Sequence, residues 1–282
     1  MADQAEMLRQ RLSAETKQAK VWGIVSGKGG VGKSNISANL AISLSKSGYK
    51  VLVFDLDIGM GNIDLLLGKA SSKNILDMLQ HGLGIWDIIE QDRTGISHIA
   101  GGRNFSSIAS LDSSMMDHFF MQLSEAETVY DHIILDMGAG ITEWSLGFIL
   151  CCDEVLTVTT PEITSITDAY SMIKHIHASK PELSVALIIN RFETIAEGKA
   201  AAAKLTEVSH RFLNKRLKVL GMIPYDMAVK NSVKNQVPFV LSSPSSPASR
   251  SVKEMAAKLA GEPVIQQRSS FFTRLRAFLI ER

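Results

Sequence analysis

Short apolar runs alternate with longer amphipathic segments along most of the chain. Residues 21–25 and 51–54 are uninterrupted apolar runs, which are typical of strands buried on both faces of a sheet. Residues 35–47 instead carry their apolar side chains at helical spacing, which predicts a helix. Further strands are predicted at residues 97–100, 132–135, 154–158, 186–189 and 219–223. Strands that alternate with helices predict an α/β fold, a mainly parallel twisted sheet with helices on both faces.

The alternation continues without a break from residue 21 to about residue 261. We therefore predict one large domain over residues 21–261, with separate short segments at 1–20 and 262–282. Residues 242–249 are rich in serine and proline and are predicted to form a loop, followed by a helix at 251–259.

Composition narrows the classes of function. With 30 Lys and Arg against 29 Asp and Glu, the net charge is +1, so we expect no specific nucleic-acid partner. The two cysteines are adjacent, Cys151 and Cys152, which is typical of a reduced intracellular protein and predicts core packing at a helix end. No secretory signal precedes the first strand, and no apolar run approaches the ~20 residues that cross a bilayer. These features predict a cytoplasmic protein.

A glycine-rich loop joins the first predicted strand to the first predicted helix. Its sequence is Ser26-Gly27-Lys28-Gly29-Gly30-Val31-Gly32-Lys33-Ser34. It contains the pattern Gly-x-x-x-x-Gly-Lys-Ser in the strand–loop–helix context that a phosphate-binding loop requires. The glycines let backbone N–H groups converge on phosphate oxygens, and the helix N-terminus adds its dipole. We predict that residues 27–35, including Asn35, bind the nucleotide, with Lys33 on the β and γ phosphates and the Ser34 hydroxyl on Mg²⁺.

Lys28 is a second lysine in this loop, although Lys33 already supplies a cation. A second ammonium would be repelled unless more negative charge arrives, and a partner subunit's triphosphate is one source. The form Lys-Gly-Gly-x-Gly-Lys-Ser resembles the deviant Walker A loop of the MinD/ParA family of ATPases. That resemblance implies an ATP-dependent homodimer in which Lys28 contacts the partner's nucleotide and assists hydrolysis. The alternative is a solvated loop lysine.

Carboxylates follow two further predicted strands. Asp55 and Asp57 come after residues 51–54, and Asp136 follows residues 132–135. Such positions face the ligand crevice of an open α/β sheet. The resemblance implies that Asp57 orients or deprotonates the attacking water, that Asn62 lies in the same switch segment, and that Asp55 and Asp136 support Mg²⁺. A loop cap or a calcium site is the alternative for the Asp-x-Asp pair. Many family members have proline after the residue matching Asp136, whereas this chain has Met137 and Gly138, so the residues that sense the γ-phosphate stay open.

The base-binding residues rest on the resemblance as well. It implies that Asn190 meets the adenine and that Pro224 and Asp226 wall its pocket, each after a predicted strand. Asn190 as an ordinary turn residue at a strand end is the alternative.

The last twelve residues have an amphipathic helical pattern. Five apolar side chains gather within about 120° of arc: Phe271, Phe272, Leu275, Phe278 and Leu279. Arginines on the flanks are typical of a helix that lies on anionic lipid, here the inner membrane. The same stripe would also serve a helix docked on its own core, and one helix can do both, docked without ATP and released with it.

The first residues resemble the activator motif of the FlhG group of MinD-like flagellar regulators. The matching positions are Asp3, Gln4, Ala5, Leu8 and Arg9. The resemblance implies docking on a signal-recognition-type GTPase of the FlhF kind, where Gln4 helps position water. A frayed terminus without function is the alternative.

Together these resemblances imply a membrane-cycling switch that binds ATP and Mg²⁺, hydrolyses ATP slowly and regulates the number and placement of flagella. Components of the flagellar switch ring are further expected partners, and the cytoplasmic face of the cell membrane is the expected location. A division-site selector of MinD type and a DNA-partition ATPase of ParA type are the alternatives.

Overall fold

The computed structural model describes residues 18–57, 63–101, 113–261 and 269–280. Its strands are β1 (Lys20–Val25), β2 (Val51–Leu56), β3 (Glu90–Gln91), β4 (Ser97–Ile99), β5 (His132–Met137), β6 (Glu154–Thr159), β7 (Ser184–Phe192) and β8 (Lys218–Pro224). Within the described ranges they form one sheet in the order β3-β4-β2-β5-β1-β6-β7-β8. Every neighbouring pair is parallel except β3 with β4. The predicted mainly parallel α/β fold is therefore confirmed.

Helices cover the sheet on both faces. They are α1 (Lys33–Lys46), α2 (Ile63–Leu66), α3 (Ile75–His81), α4 (Ile85–Ile88), α5 (Ser113–Val129), α6 (Glu143–Cys151), α7 (Ile163–Ser179), α8 (Ile195–Leu213), α9 (Met227–Asn235), α10 (Phe239–Ser242), α11 (Pro247–Ala260) and α12 (Phe271–Ile280). Side chains alternate along each strand. In β1, Val21 and Val25 pack beneath α5–α8 and α12, whereas Trp22 and Ile24 pack beneath α1, α10 and α11.

The loop predicted over residues 242–249 is shorter than expected, and the helix predicted at 251–259 begins earlier, at Pro247. The reason is a local cap: the Ser246 hydroxyl accepts a hydrogen bond from the Ser249 N–H at 3.2 Å. Proline at the first helical position has a backbone angle that suits a helix start and lacks an N–H that would need a partner. The serine–proline pair was therefore a helix signal rather than a loop signal.

Three further features complete the description of the fold. Cys151 and Cys152 are free thiols buried at the end of α6, as predicted. At the start of β1, the Ala19 N–H donates to the Glu127 carbonyl near the end of α5 at 3.0 Å. Among the described residues, no helix is both long enough and apolar enough to span a bilayer.

Candidate functional site

The glycine-rich loop leaves the carboxyl end of β1, which lies between β5 and β6, and enters α1. Two of its glycines are required by geometry. A Cβ on Gly27 would lie 2.1 Å from the backbone oxygen of Asp168, closer than any side chain permits. Gly32 caps α1 with φ of 95°, a left-handed conformation that favours glycine. These two glycines let the loop pack against the backbone of α7 and turn into α1.

Lys33 opens α1 and is only 6% exposed. Its Nζ lies 3.3 Å from Asp136 Oδ1 and 3.7 Å from Asp57 Oδ2. The structure thus brings together three residues that the sequence predicted for this site, from three separate segments. Because a buried ammonium needs paired charge, these carboxylates hold Lys33 in place at the mouth of the loop.

Ser37, which the sequence reading missed, also belongs to this cluster. Its hydroxyl donates to Asp136 Oδ1 at 2.8 Å. Ser37 lies one helical turn after Lys33, so its position on the same face of α1 was the available signal.

The carboxylates fit a magnesium ion that also takes phosphate and water ligands. Asp136 is fully buried, and its Oδ2 has no hydrogen-bond partner among the described residues. An unpartnered buried carboxylate oxygen is costly, and a cation or its bound water would satisfy it. Ser34, in the first turn of α1, could supply the hydroxyl ligand. Among the described residues, no group of three or more His, Cys, Asp or Glu is arranged to hold a metal ion.

The Asp55 carboxylate binds the backbone of the segment that follows β2. Its Oδ1 accepts from the Asp57 N–H at 3.0 Å and its Oδ2 from the Ile63 N–H at 3.2 Å. Burial, and after it the nearby charge of Asp136, raises the pKa of the Asp55 carboxyl to about 7. Both carboxylate oxygens of Asp55 are thus bound to backbone groups of the segment that follows β2.

Asp57 is partly exposed at the end of β2. Burial raises the pKa of its carboxyl, while the Lys33 charge lowers it and the Asp136 charge raises it. The raised pKa makes this carboxylate a stronger proton acceptor than an aspartate in water. A Cβ on Gly138 would lie 3.2 Å from Asp57 Oδ1, so the loop after β5 packs directly against this group.

Lys28 lies apart from this buried cluster, although it belongs to the same loop. Its side chain is 43% exposed, and its Nζ lies 3.1 Å from Glu162 Oε2. It also donates to Thr164 Oγ1 at 3.3 Å, and both partners stand at the start of α7. An exposed ion pair of this kind is worth about 0–1 kcal/mol, so Lys28 can exchange it for a stronger partner.

A cavity of about 310 Å³ lies beside the loop, where the sequence predicted the base. Gly32, Asn35, Asn190, Pro224 and Asp226 all line it. The Asn190 amide donates to the Val31 carbonyl at 2.7 Å, so it ties the cavity wall to the phosphate loop. The structure therefore joins the predicted base pocket to the predicted phosphate site.

The Asp226 carboxylate accepts hydrogen bonds from two backbone N–H groups. It accepts from the Ala228 N–H at 2.8 Å, as the cap of α9, and from the Ala248 N–H at 3.1 Å. Asp226 thus shapes the cavity wall, with a backbone N–H group bound to each of its two oxygens. Arg191, which the sequence reading missed, lines the cavity with φ of 60°, an uncommon value for a residue with a side chain.

The apolar stripe of α12 is covered by protein. Phe271, Phe272 and Leu275 are buried against α5 and α6, and Phe278 and Leu279 are partly buried. The docked arrangement is therefore the one that this structure contains, and contact with lipid requires the helix to leave. Six residues of the predicted sites lie outside the described residues: Asp3, Gln4, Ala5, Leu8, Arg9 and Asn62.

Known proteins match this chain over most of its length. The CbiA family model, described as the CobQ/CobB/MinD/ParA nucleotide binding domain, matches residues 22–239. The antiactivator FleN of Pseudomonas aeruginosa is 32% identical over 245 residues, covering 87% of this chain and 88% of FleN. The flagellum site-determining protein YlxH of Helicobacter pylori is 36% identical over 264 residues, 91% of this chain and 89% of YlxH.

A solved structure agrees with these sequence matches. The septum site-determining protein MinD of Pyrococcus horikoshii, complexed with Mg-ADP, superposes with a TM-score of 0.70 at 25% identity, covering 89% of this chain and all of that one. The predicted relation to MinD/ParA-type P-loop proteins and to flagellar regulators is confirmed, and the chain belongs to the CobQ/CobB/MinD/ParA nucleotide-binding family.

Proposed function

We propose that this chain is an ATP-hydrolysing switch that pairs with a second copy when ATP is bound, and that regulates the number and placement of flagella. The main observation behind the proposal is that the two lysines of the loop have different environments. Lys33 is buried between Asp57 and Asp136, whereas Lys28 is exposed and contacts two exposed residues, Glu162 and Thr164. One lysine serves the chain's own nucleotide, and the other is available to a nucleotide on a facing copy.

Each residue of the site then has a role. Lys33 and the backbone N–H groups of residues 27–32 bind the phosphates of ATP. Mg²⁺ would be held by the Ser34 hydroxyl and, through water, by Asp136. Asp55 would lie near the ion without binding it directly. Asp57 positions the attacking water, and Asn62 belongs to the same switch segment. The base occupies the cavity walled by Asn35, Asn190, Pro224 and Asp226. The Mg-ADP named for the Pyrococcus MinD supports this choice of nucleotide and ion.

The central test is the mass of the protein in solution. We expect a monomer with Mg-ADP and a dimer with Mg-ATP or a slowly hydrolysed analogue, measured by light scattering. EDTA added with ATP is the control, because removing Mg²⁺ should prevent pairing. A chain that stays monomeric at saturating Mg-ATP would contradict the proposal.

The flagellar role is supported by the names of two relatives, an antiactivator FleN and a flagellum site-determining protein. We propose that residues 1–20 form a segment that stimulates a signal-recognition-type GTPase of the FlhF kind. Its contacts would include Asp3, Ala5, Leu8 and Arg9, with Gln4 positioning water. Switch-ring components are proposed as further partners.

Substituting Gln4 tests the N-terminal segment. Gln4→Ala should lower stimulation of such a GTPase by about 10²-fold or more, if the side chain positions water as catalytic groups do. The chain's own ATP turnover should not change. Gln10→Ala, outside the motif, is the matched control. Equal stimulation by both variants would remove this part of the proposal.

Residues 262–282 are proposed to attach the ATP-bound dimer to anionic lipid on the cytoplasmic face of the membrane. One short apolar helix binds lipid weakly, but two on a dimer act at an effective concentration near millimolar. A septum-placing function is the second candidate, favoured by the superposition on MinD. It predicts binding to a septation inhibitor and no effect on the GTPase. Strongly salt-dependent binding to duplex DNA would instead indicate a partition ATPase.

A further inference from the structure

A buried carboxylate lies under the first turn of the C-terminal helix α12. Glu127, near the end of α5, is 2% exposed. Its Oε1 accepts from the Phe271 N–H at 2.8 Å, and its Oε2 accepts from the Phe272 N–H at 3.4 Å and from the Ser270 hydroxyl. The first N–H groups of a helix have no partner within the helix. Glu127 therefore caps α12 from another element, more than a hundred residues away in sequence.

Other polar contacts of α12 differ in strength. Arg274 donates to the Cys151 carbonyl at 2.7 Å and pairs with Asp153 at 2.8 Å, at the far end of α6. Arg276 pairs with Asp117, but both side chains are more than half exposed and the pair is weak. Of these acidic partners, Glu127 is the one that satisfies the backbone of α12.

Glu127 holds the helix although burying its carboxylate costs free energy. Burial raises the pKa of the Glu127 carboxyl, while the bonds from Ser270, Phe271 and Phe272 and the charge of Arg274 lower it. The hydrogen bonds thus work against the cost of keeping a carboxylate out of water. If α12 leaves, the carboxylate regains water, and so do the N–H groups that it caps. A balance of this kind gives a contact that is specific yet reversible.

We propose that Glu127 is the latch of α12, a positioning residue that sets how large a share of the molecules keeps this helix docked. Phe271, Phe272 and Leu275 are almost fully buried, and Glu127 binds the backbone where the helix begins. Without the carboxylate, the buried N–H groups of Phe271 and Phe272 and the partly buried Ser270 hydroxyl would lose this acceptor, so the docked helix would become less stable relative to the released one. The idea that a released α12 attaches to the membrane rests on the proposed function. The role of Glu127 in holding α12 does not depend on it.

Hydrogen–deuterium exchange of the full-length protein, without lipid, tests the latch. The amides from Arg274 to Ile280 can form bonds within the helix, beginning with Arg274 N–H to the Ser270 carbonyl, and report its protection. Glu127→Ala should speed their exchange about tenfold or more, since hydrogen bonds to a charged group are at stake. Amides of β1 and β7 should keep wild-type protection. Glu125→Ala is the matched control, because it removes an exposed carboxylate from the same helix.

A milder variant keeps the test decisive if Glu127→Ala folds poorly. Ser270→Ala should speed exchange of the same amides by a smaller factor. In the Glu127→Ala background it should add only the part due to the bond from the Thr273 N–H to the Ser270 hydroxyl at 3.4 Å, because the bond to Glu127 is already lost. Equal exchange in Glu127→Ala and Glu125→Ala would overturn the proposal. So would protection lost evenly across the sheet, or fully additive effects of the two substitutions.

Vesicle binding separates the latch from the proposed membrane function. With Mg-ATP, which pairs the chains in the proposed function, vesicles of phosphatidylglycerol with phosphatidylethanolamine should bind Glu127→Ala at a lower lipid concentration than wild type, whereas phosphatidylcholine vesicles should bind neither. Faster exchange together with vesicle binding supports both ideas. Faster exchange without vesicle binding supports the latch and contradicts the membrane function.

Discussion

Replacing Asp57 with alanine should lower ATP hydrolysis by about 10²- to 10⁴-fold, the usual contribution of a positioned general base. Nucleotide binding and pairing should survive, because Lys33 keeps its contact with Asp136 at 3.3 Å. Asp57 lies farther from the lysine, at 3.7 Å, and is partly exposed. ATP-loaded Asp57→Ala should therefore accumulate as a dimer. Phosphate release and light scattering measure the two effects on one sample.

Two further variants sharpen this experiment. Asp57→Asn keeps the shape of the side chain and removes its basicity, so it should hydrolyse as slowly as the alanine variant. Glu207→Ala removes an exposed carboxylate on α8, away from the loop, and should leave turnover unchanged. If Asp57→Ala turns over ATP at the wild-type rate, or stays monomeric with ATP, the assigned role is wrong.

Replacing Lys28 with alanine should have the other large effect, a loss of roughly 10³ to 10⁵ in turnover if this lysine acts in trans as an arginine finger does. The fold should not suffer, because an exposed ion pair is worth about 0–1 kcal/mol. Wild-type turnover per chain should rise with protein concentration, whereas Lys28→Ala should stay slow at every concentration. Lys69→Ala is the matched control, since it removes an exposed lysine paired with Glu90 at 2.8 Å.

Mixing the two inactive variants shows whether Lys28 acts on the partner's nucleotide or on the nucleotide of its own chain. In a mixed dimer, the Lys28→Ala chain keeps its Asp57 and receives Lys28 from the Asp57→Ala chain. One complete site forms if Lys28 acts across the dimer, so activity should return to a part of the wild-type value. If Lys28 acts within its own chain, every site lacks one group and the mixture stays inactive.

The sequence predicted the parts of this molecule that depend on local patterns. The phosphate loop, the neighbouring strands and the carboxylates after β2 and β5 could each be predicted from a short segment of sequence, without knowledge of distant contacts. Parallel strands bring their carboxyl ends to one edge, which is why Lys33, Asp57 and Asp136 could be expected to meet.

Contacts between distant segments could not be predicted in this way. Glu162 and Thr164 hold Lys28, yet nothing in their own surroundings marks them as partners of a residue more than a hundred positions earlier. Glu127 beneath α12 is a similar case. The stripe of α12 posed a different problem, because an amphipathic face has the same pattern whether it contacts lipid or protein. Only the packing against α5 and α6 distinguishes the two in this structure.

The hydrogen bond from Ala19 to Glu127 has a consequence for how information passes through the molecule. It brings the beginning of β1 and the first turn of α12 to the same residue, while the far end of β1 runs into the phosphate loop. With six residues, β1 is ~20 Å long. The nucleotide would bind at the carboxyl end of β1, and Ala19 at the other end contacts the residue that caps α12. One buried strand and one hydrogen bond therefore connect the phosphate loop to this helix.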